Sequence, residues 1–228
     1  MDNQLKILTI TSILIFLVMI PIALLNGIYG FIPDLIIFII LTIFFAWTYN
    51  TFRMTPAIFT LLTIGHLLHA CGIFGWYHIS PVPIQWDHIT HFLGELPYAL
   101  LFFNFFSQWA DTKWLTKKNL LLLIAIFLAA FGVGAVVEMS EFLGYLKLGF
   151  GDGALMFGPG DSVAGFEGSD LIDAIGGGWI NTGWDLIFNT TGILFGIAMM
   201  IIQRIIARKP EKAYYYETIE SYSNSKLH

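Results

Sequence analysis

Apolar residues run along this chain in six stretches, each broken by polar or turn-forming residues. They cover Ile7 to Ile28, Phe31 to Thr51, Thr55 to Tyr77, His88 to Trp109, Leu120 to Gly144 and Trp184 to Ala207. A membrane-crossing helix needs about 20 mostly apolar residues, and each stretch meets that length. The pattern predicts an all-α polytopic membrane bundle of six transmembrane helices. The first stretch is too long for a secretory leader and lacks a small-x-small cleavage site, so it reads as an uncleaved span.

Direction follows from the basic residues, which favour cytoplasmic segments. With the N-terminus inside, the inner segments hold Lys6, Arg53, Lys113, Lys117, Lys118, Arg204, Arg208, Lys209, Lys212 and Lys226. The outer segments hold Lys147 alone. Both termini are therefore expected on the cytoplasmic face. A wrong number of spans would spoil this alternation, so the bias supports the count as well. Trp76, Trp86, Trp109, Trp114, Trp179 and Trp184 fall near predicted ends, as an interfacial belt would. Residues 1–209 form one transmembrane domain on this reading. The segment 210–228 is a polar cytoplasmic tail carrying four tyrosines.

Composition agrees. Charged residues make up 12% of the chain against about 25% in soluble domains. The net charge of -5 and the scattered basic residues give no nucleic-acid signature. The single cysteine, Cys71, excludes an internal disulfide and reads as a packing residue.

One long connection is expected, Gly144 to Gly183. It holds twelve of the 22 glycines and the acids Asp152, Asp161, Glu167, Asp170 and Asp173. So many glycines argue against a regular helix. The apolar part, Leu171 to Ile180, suits a dip into the membrane or a cap on the bundle. A solvated outer loop and a lid remain two readings of the whole.

Most information lies in the ionisable residues of the apolar helices, where such groups are costly and face the bundle interior. His66 and His69 stand three apart on the third span. Asp87, His91 and Glu95 form an i, i+4 stripe on the fourth, with His88 beside it. Glu138 and Glu141 share a face of the fifth, and Asp185 and Asn189 a face of the sixth. At about 1.5 Å per residue, all four groups fall in the extracytoplasmic half. The topology came from Lys and Arg, while the cluster comes from other residue types, so two separate signals agree on one layer.

Imidazoles and carboxylates in a dry pocket suit a divalent metal such as Zn²⁺, Mn²⁺ or Fe²⁺. The candidate ligands are His69, His91, Glu138 and Asp87. Glu141 and Asp185 are the candidate catalytic groups, with Asn189, His66, His88 and Glu95 in support. Blander readings stand beside these. His66 taken alone reads as a hydrogen-bonded core residue. Asp34, Asp87 and Asp185 each stand near an expected helix N-terminus, where capping and the dipole explain an acid. That excuse fails for Glu138 and Glu141, near a C-terminal end. Gly65, Gly72, Gly132, Gly134, Ala129 and Ala130 read as helix-packing positions. Pro97 frees the carbonyl of Leu93 and is expected to kink the fourth span.

Three motifs carry a resemblance: Trp-Asp-His-Ile-Thr-His-Phe (86–92), Glu-Met-Ser-Glu (138–141) and Asn-Thr-Gly-Trp-Asp (181–185). They resemble the YjdF-like bacterial inner membrane proteins, a family of unknown function. The pattern is also distantly similar to VanZ-like proteins, some of which are associated with glycopeptide resistance. That likeness implies a multi-helix membrane protein. An acid is expected before the Trp-Asp pair, and Asn181 stands there instead.

Three function classes follow. The first is a metal-dependent enzyme acting on membrane lipid or a lipid-linked substrate. The second is a small transporter or proton-coupled carrier, which would need polar residues continuing to the cytoplasmic side. The third is a non-catalytic envelope factor.

Overall fold

The computed structural model describes residues 3–113, 115–149, 151, 153–156 and 171–207, with backbone alone over 171–178 and at 207. Among them are six α-helices and no strand: α1 (Asn3–Asn26), α2 (Phe31–Thr48), α3 (Pro56–Ala70), α4 (Trp86–Phe106), α5 (Lys117–Leu148) and α6 (Leu171–Ala207). Two short 3-10 turns, Cys71–Phe74 and Ser107–Trp109, extend α3 and α4. The expected tail 210–228, Trp114, His228, the basic residues beyond Ala207 and the loop acids Asp152, Asp161, Glu167 and Asp170 lie outside the described residues. So does the side chain of Asp173.

The starts and stops have local causes. Thr55 precedes Pro56 and its hydroxyl accepts from the Ile58 amide, capping α3. Thr116 does the same for α5 through Asn119. Gly75 (φ 76°) and Gly149 (φ 84°) take left-handed backbone where the 3-10 turn and α5 end.

Two boundaries depart from expectation. α5 runs past Gly144 to Leu148, and α6 begins at Leu171 rather than Trp184. The expected 144–183 connection therefore shrinks to 149–170. Glycine's low helix propensity misled here, because it is a weak preference. Where water is scarce, a helix satisfies every backbone group within itself, and that outweighs the penalty of Gly176–Gly178. Gly144 is glycine for another reason. A Cβ there would run into the Leu155 carbonyl, where the segment after α5 folds back over it.

Five helices are long and apolar enough to cross a membrane: α1, α2, α3 with its 3-10 turn, α5, and α6 over Trp179–Ile206. The sixth expected span, α4, is long enough at 21 residues. It falls short on hydropathy because its first half carries Asp87, His88, His91 and Glu95. Packing explains why this is tolerable. α4 lies against α3, α5 and α6, and most extensively α6. Glycines permit the close approach. A Cβ on Gly65 of α3 would sit 3.2 Å from Gly94 Cα of α4. On α6, a Cβ on Gly192 would strike the Phe92 carbonyl, and one on Gly196 would lie 3.0 Å from both the Leu96 carbonyl and Ala99 Cβ. Gly192 and Gly196 are a G-x-x-x-G pair, which brings helix backbones together. Gly132 is not a packing position, since a Cβ there meets nothing within 4 Å.

Apolar clusters fill both ends. Leu5, Phe45, Met54, Ile58, Phe59, Leu62, Leu96, Leu100 and Leu101 make one core. Phe16, Met19, Ala23, Phe31, Leu35, Ala70 and Ile73 make another at the end where α2 and α4 begin and α1 and α3 finish. The polar residues gather beside the second.

Candidate metal centre

Three helices deliver one polar group. The first three turns of α4 supply Asp87, His91 and Glu95. α5 supplies Glu138 and α6 supplies Asp185 and Asn189. All but His91 are at most 5% exposed. Trp86 pins the start of α4 by donating its indole N–H to the Leu68 carbonyl of α3 (3.1 Å).

His91 stands at the middle. Its Nδ1 lies 3.0 Å from Asn189 Oδ1. An amide oxygen only accepts, so Nδ1 carries the proton and donates. In the neutral ring Nε2 then presents its lone pair to Asp87 Oδ1 at 3.3 Å and Asp185 Oδ1 at 3.7 Å. Glu138 Oε1 is 3.4 Å from Nδ1. One ligand atom from each of Asp87, His91 and Asp185 lies within 4.8 Å of the others, and these three could hold a metal ion.

The surplus of acceptors is the unusual part. Asp87 Oδ2, Glu95 Oε2, both oxygens of Glu138 and Asp185 Oδ1 are buried and make no hydrogen bond. Among the described residues no Lys or Arg forms an ion pair with them. Buried carboxylates without cations are costly.

Support comes from residues the motifs underrated. Asn181 is 2% exposed and its amide donates to Asp185 Oδ2. The residue standing where an acid was expected orients the acid four positions on. Gly134 of α5 leaves room for the site, since a Cβ there would lie 3.0 Å from Glu95 Oε1 and as close to the Asn189 amide carbon. Asp185 is also fourteen residues inside α6, which starts at Leu171. Neither capping nor the helix N-terminus accounts for it, contrary to expectation. Glu141 is buried one turn beyond Glu138.

His69 does not join the group. Its Nε2 is 3.0 Å from Asp34 Oδ2 and its Nδ1 is 2.9 Å from the Tyr77 hydroxyl. Thr90 donates to the Asp87 carbonyl (2.7 Å), so it accepts from Tyr77 (3.2 Å). Tyr77 must then accept from His69 Nδ1–H, and the Nε2 contact with Asp34 closes through one further proton shared between them. Both ring nitrogens are engaged, and the residue expected as a ligand is a partner of Asp34 instead. Asp34 Oδ2 also accepts from the Ala154 amide (2.9 Å), tying the segment after α5 to α2. Spacing could not pair Asp34 with His69, which lie on different helices.

The remaining histidines are separate. His66 is buried, 3.0 Å from the Tyr98 hydroxyl and stacked on Phe38, as its structural reading had it. His88 stacks on Phe188 at 4.2 Å and lines an apolar groove of about 260 Å³ with Ile84, Ile89, Phe92, Leu93 and Phe188.

The fold and site define a helical membrane protein with a buried histidine–carboxylate centre. Residues 5–205 match the family described as "Predicted membrane protein (DUF2238)", and the chain belongs to it. That family is the YjdF-like one the motifs resemble; the distant likeness to VanZ-like proteins is not shown. No curated protein and no solved structure matches the chain.

Proposed function

We propose that Asp87, His91 and Asp185 bind a divalent metal, and that the protein is a metal-dependent hydrolase of lipid or lipid-linked head groups in a prokaryotic plasma membrane. One observation carries the metal. With Nδ1–H given to Asn189, the Nε2 lone pair of His91 points at two carboxylate oxygens. Such an arrangement repels unless a proton or a metal ion sits between. A tetrahedral ion with bonds of about 2.1 Å holds its ligand atoms about 3.4 Å apart, close to the 3.3 and 3.7 Å found here. A histidine ligand donating its other N–H to a fixed acceptor is the usual supporting arrangement.

A bound divalent ion would act as a Lewis acid and make a water nucleophilic at neutral pH. Glu138 and Glu141, buried one turn apart on α5, are the acids placed to take up a proton. The groove beside His88 lies between α4 and α6, the helices that bear all three ligands, and its apolar lining suits an acyl chain. A carrier would need the polar column to continue. It passes from His91 to Glu95 and to His66 with Tyr98, and then meets the core around Leu62, Leu96 and Leu100.

Elemental analysis of the detergent-purified protein tests the metal, wild type beside His91→Ala. Metal in the wild type and its loss in the variant is the expected result. Metal in neither would mean that a proton balances His91 and would end this reading. Metal-dependent release of a head group from a membrane lipid extract, abolished by Asp185→Asn, tests the hydrolase.

A further inference from the structure

We infer that the turn between α3 and α4, residues 79–84, is an anchor sunk among the acyl chains of the leaflet at that end of the bundle. On the orientation expected from Lys and Arg, this is the outer leaflet. The anchor stands apart from the metal reading and holds whether or not an ion is bound.

The first argument is what the turn exposes. From Ile79 to Trp86 the chain carries no ionisable side chain. Ile79, Val82 and Ile84 are 81%, 43% and 55% exposed, with Pro81 and Pro83 exposed between them. Turns that face water are built mainly from glycine and polar residues, whereas an exposed apolar run marks contact with a membrane or a partner. The turn between α4 and α5 shows the contrast. It carries Asp111 and Lys113, and Asp111 pairs with Lys118.

The second argument is the backbone. Non-helical backbone is costly in lipid, because its N–H and C=O groups find no water there. This turn has few such groups to strand. Pro81 and Pro83 have no N–H. The N–H groups of His78 and Ile79 donate to the Gly75 carbonyl at 3.0 and 3.1 Å. The Val82 N–H donates to the Ser80 hydroxyl (3.4 Å), which itself donates to the Ile84 carbonyl (2.5 Å).

The third is position. Trp76 and Trp86 flank the turn with their rings 4.6 Å apart, edge to face, and tryptophan gathers where membrane meets water. Ile84 also lines the groove with His88, Phe92 and Phe188. The turn thus continues an apolar surface of α4 and α6. Hydrocarbon is the partner this chemistry fits, since the turn offers no charge to a head group.

Spin labels test it. Single nitroxides would be placed at Ile79→Cys and Val82→Cys in the full chain carrying Cys71→Ala, in phosphatidylcholine–phosphatidylglycerol nanodiscs. Both positions are exposed, where substitutions cost little. Each label should collide readily with oxygen, which concentrates in hydrocarbon, and poorly with a water-soluble nickel chelate. A label at Leu115→Cys, in the charged turn, should do the reverse. Ready collision with the chelate at 79 and 82 would put the turn in water. Poor collision with both reagents would put protein over it, such as a second copy of the chain. Either result overturns the anchor. Hydrogen exchange of the wild type in the same nanodiscs needs no substitution. Exchange over 79–84 should be slower than around Leu115, and equal rates would also overturn the anchor.

Discussion

The Asp34–His69 pair and the group around His91 both lie near one end of the bundle, and they differ in what is left over. At Asp34 and His69, each ring nitrogen has one partner, and the chain runs on through Tyr77 and Thr90 to a backbone carbonyl. That chain ends on an atom that takes no proton, and only Asp34 Oδ1 is without a bond. At His91 three carboxylates crowd one ring, and five carboxylate oxygens in and next to that group make no hydrogen bond. The same residue types thus build a closed clasp in one place and a surplus of buried acceptors in the other. Identity alone does not make a site; unspent acceptors do.

The largest expected effect follows directly. Removing the ring at His91 should weaken metal binding by more than the ~10–100-fold that loss of an outer partner costs. His69→Ala should leave metal content unchanged. Equilibrium dialysis against Zn²⁺ or Mn²⁺ compares them. If His69→Ala strips the metal as thoroughly as His91→Ala, the contrast between the two centres collapses.

His69→Ala should instead act on stability. It leaves the Asp34 carboxylate buried (2% exposed) without its imidazole. Breaking such a pair costs about 3–5 kcal/mol. Thermal unfolding in detergent should show a clear drop in midpoint. An unchanged midpoint would mean that the clasp contributes little.

How much of this the sequence shows depends on range. Helix existence was readable, because each apolar stretch is long and its solvent is lipid. The stripe of Asp87, His91 and Glu95 was also readable, since i, i+4 spacing is local. The grouping of Glu138, Asp185 and Asn189 with it followed from counting depth along each span. Depth does not fix rotation about a helix axis, and there the reading of His69 failed. It lies near the same layer but turns toward α2, to an acid that looked like a dipole partner. The start of α6 was hidden because glycine propensity describes helices in water. Asn181 was discounted for want of a charge, although an amide can position a carboxylate. Gly192 and Gly196 carried a readable packing signal that the polar residues overshadowed.

A smaller effect should separate ligands from their supports. Asn181→Ala removes the amide that donates to Asp185 Oδ2 and leaves every ligand in place. Affinity should fall ~10–100-fold, about 1.4–2.7 kcal/mol, with stoichiometry at saturation unchanged. Asn181→Asp, which adds a charge at that position, should change the affinity in a different measure from Ala. Titration calorimetry reads both. A loss of stoichiometry in Asn181→Ala would make residue 181 a ligand and redraw the site.

The smallest effect belongs to a glycine on α5. Gly132 and Gly134 sit two apart on the same helix and looked alike as packing positions. A Cβ on Gly134 would run into Asn189 and Glu95 of the histidine–carboxylate cluster, whereas one on Gly132 meets open space. Gly132→Ala should therefore add only helix propensity, stabilising by about 0.5–1 kcal/mol, because alanine loses less backbone freedom on folding. Metal affinity should be untouched. A midpoint shift upward with an unchanged binding curve is the expected result. A fall in either would mean that α5 is turned differently about its axis, and Glu138, six residues along, would then no longer face His91.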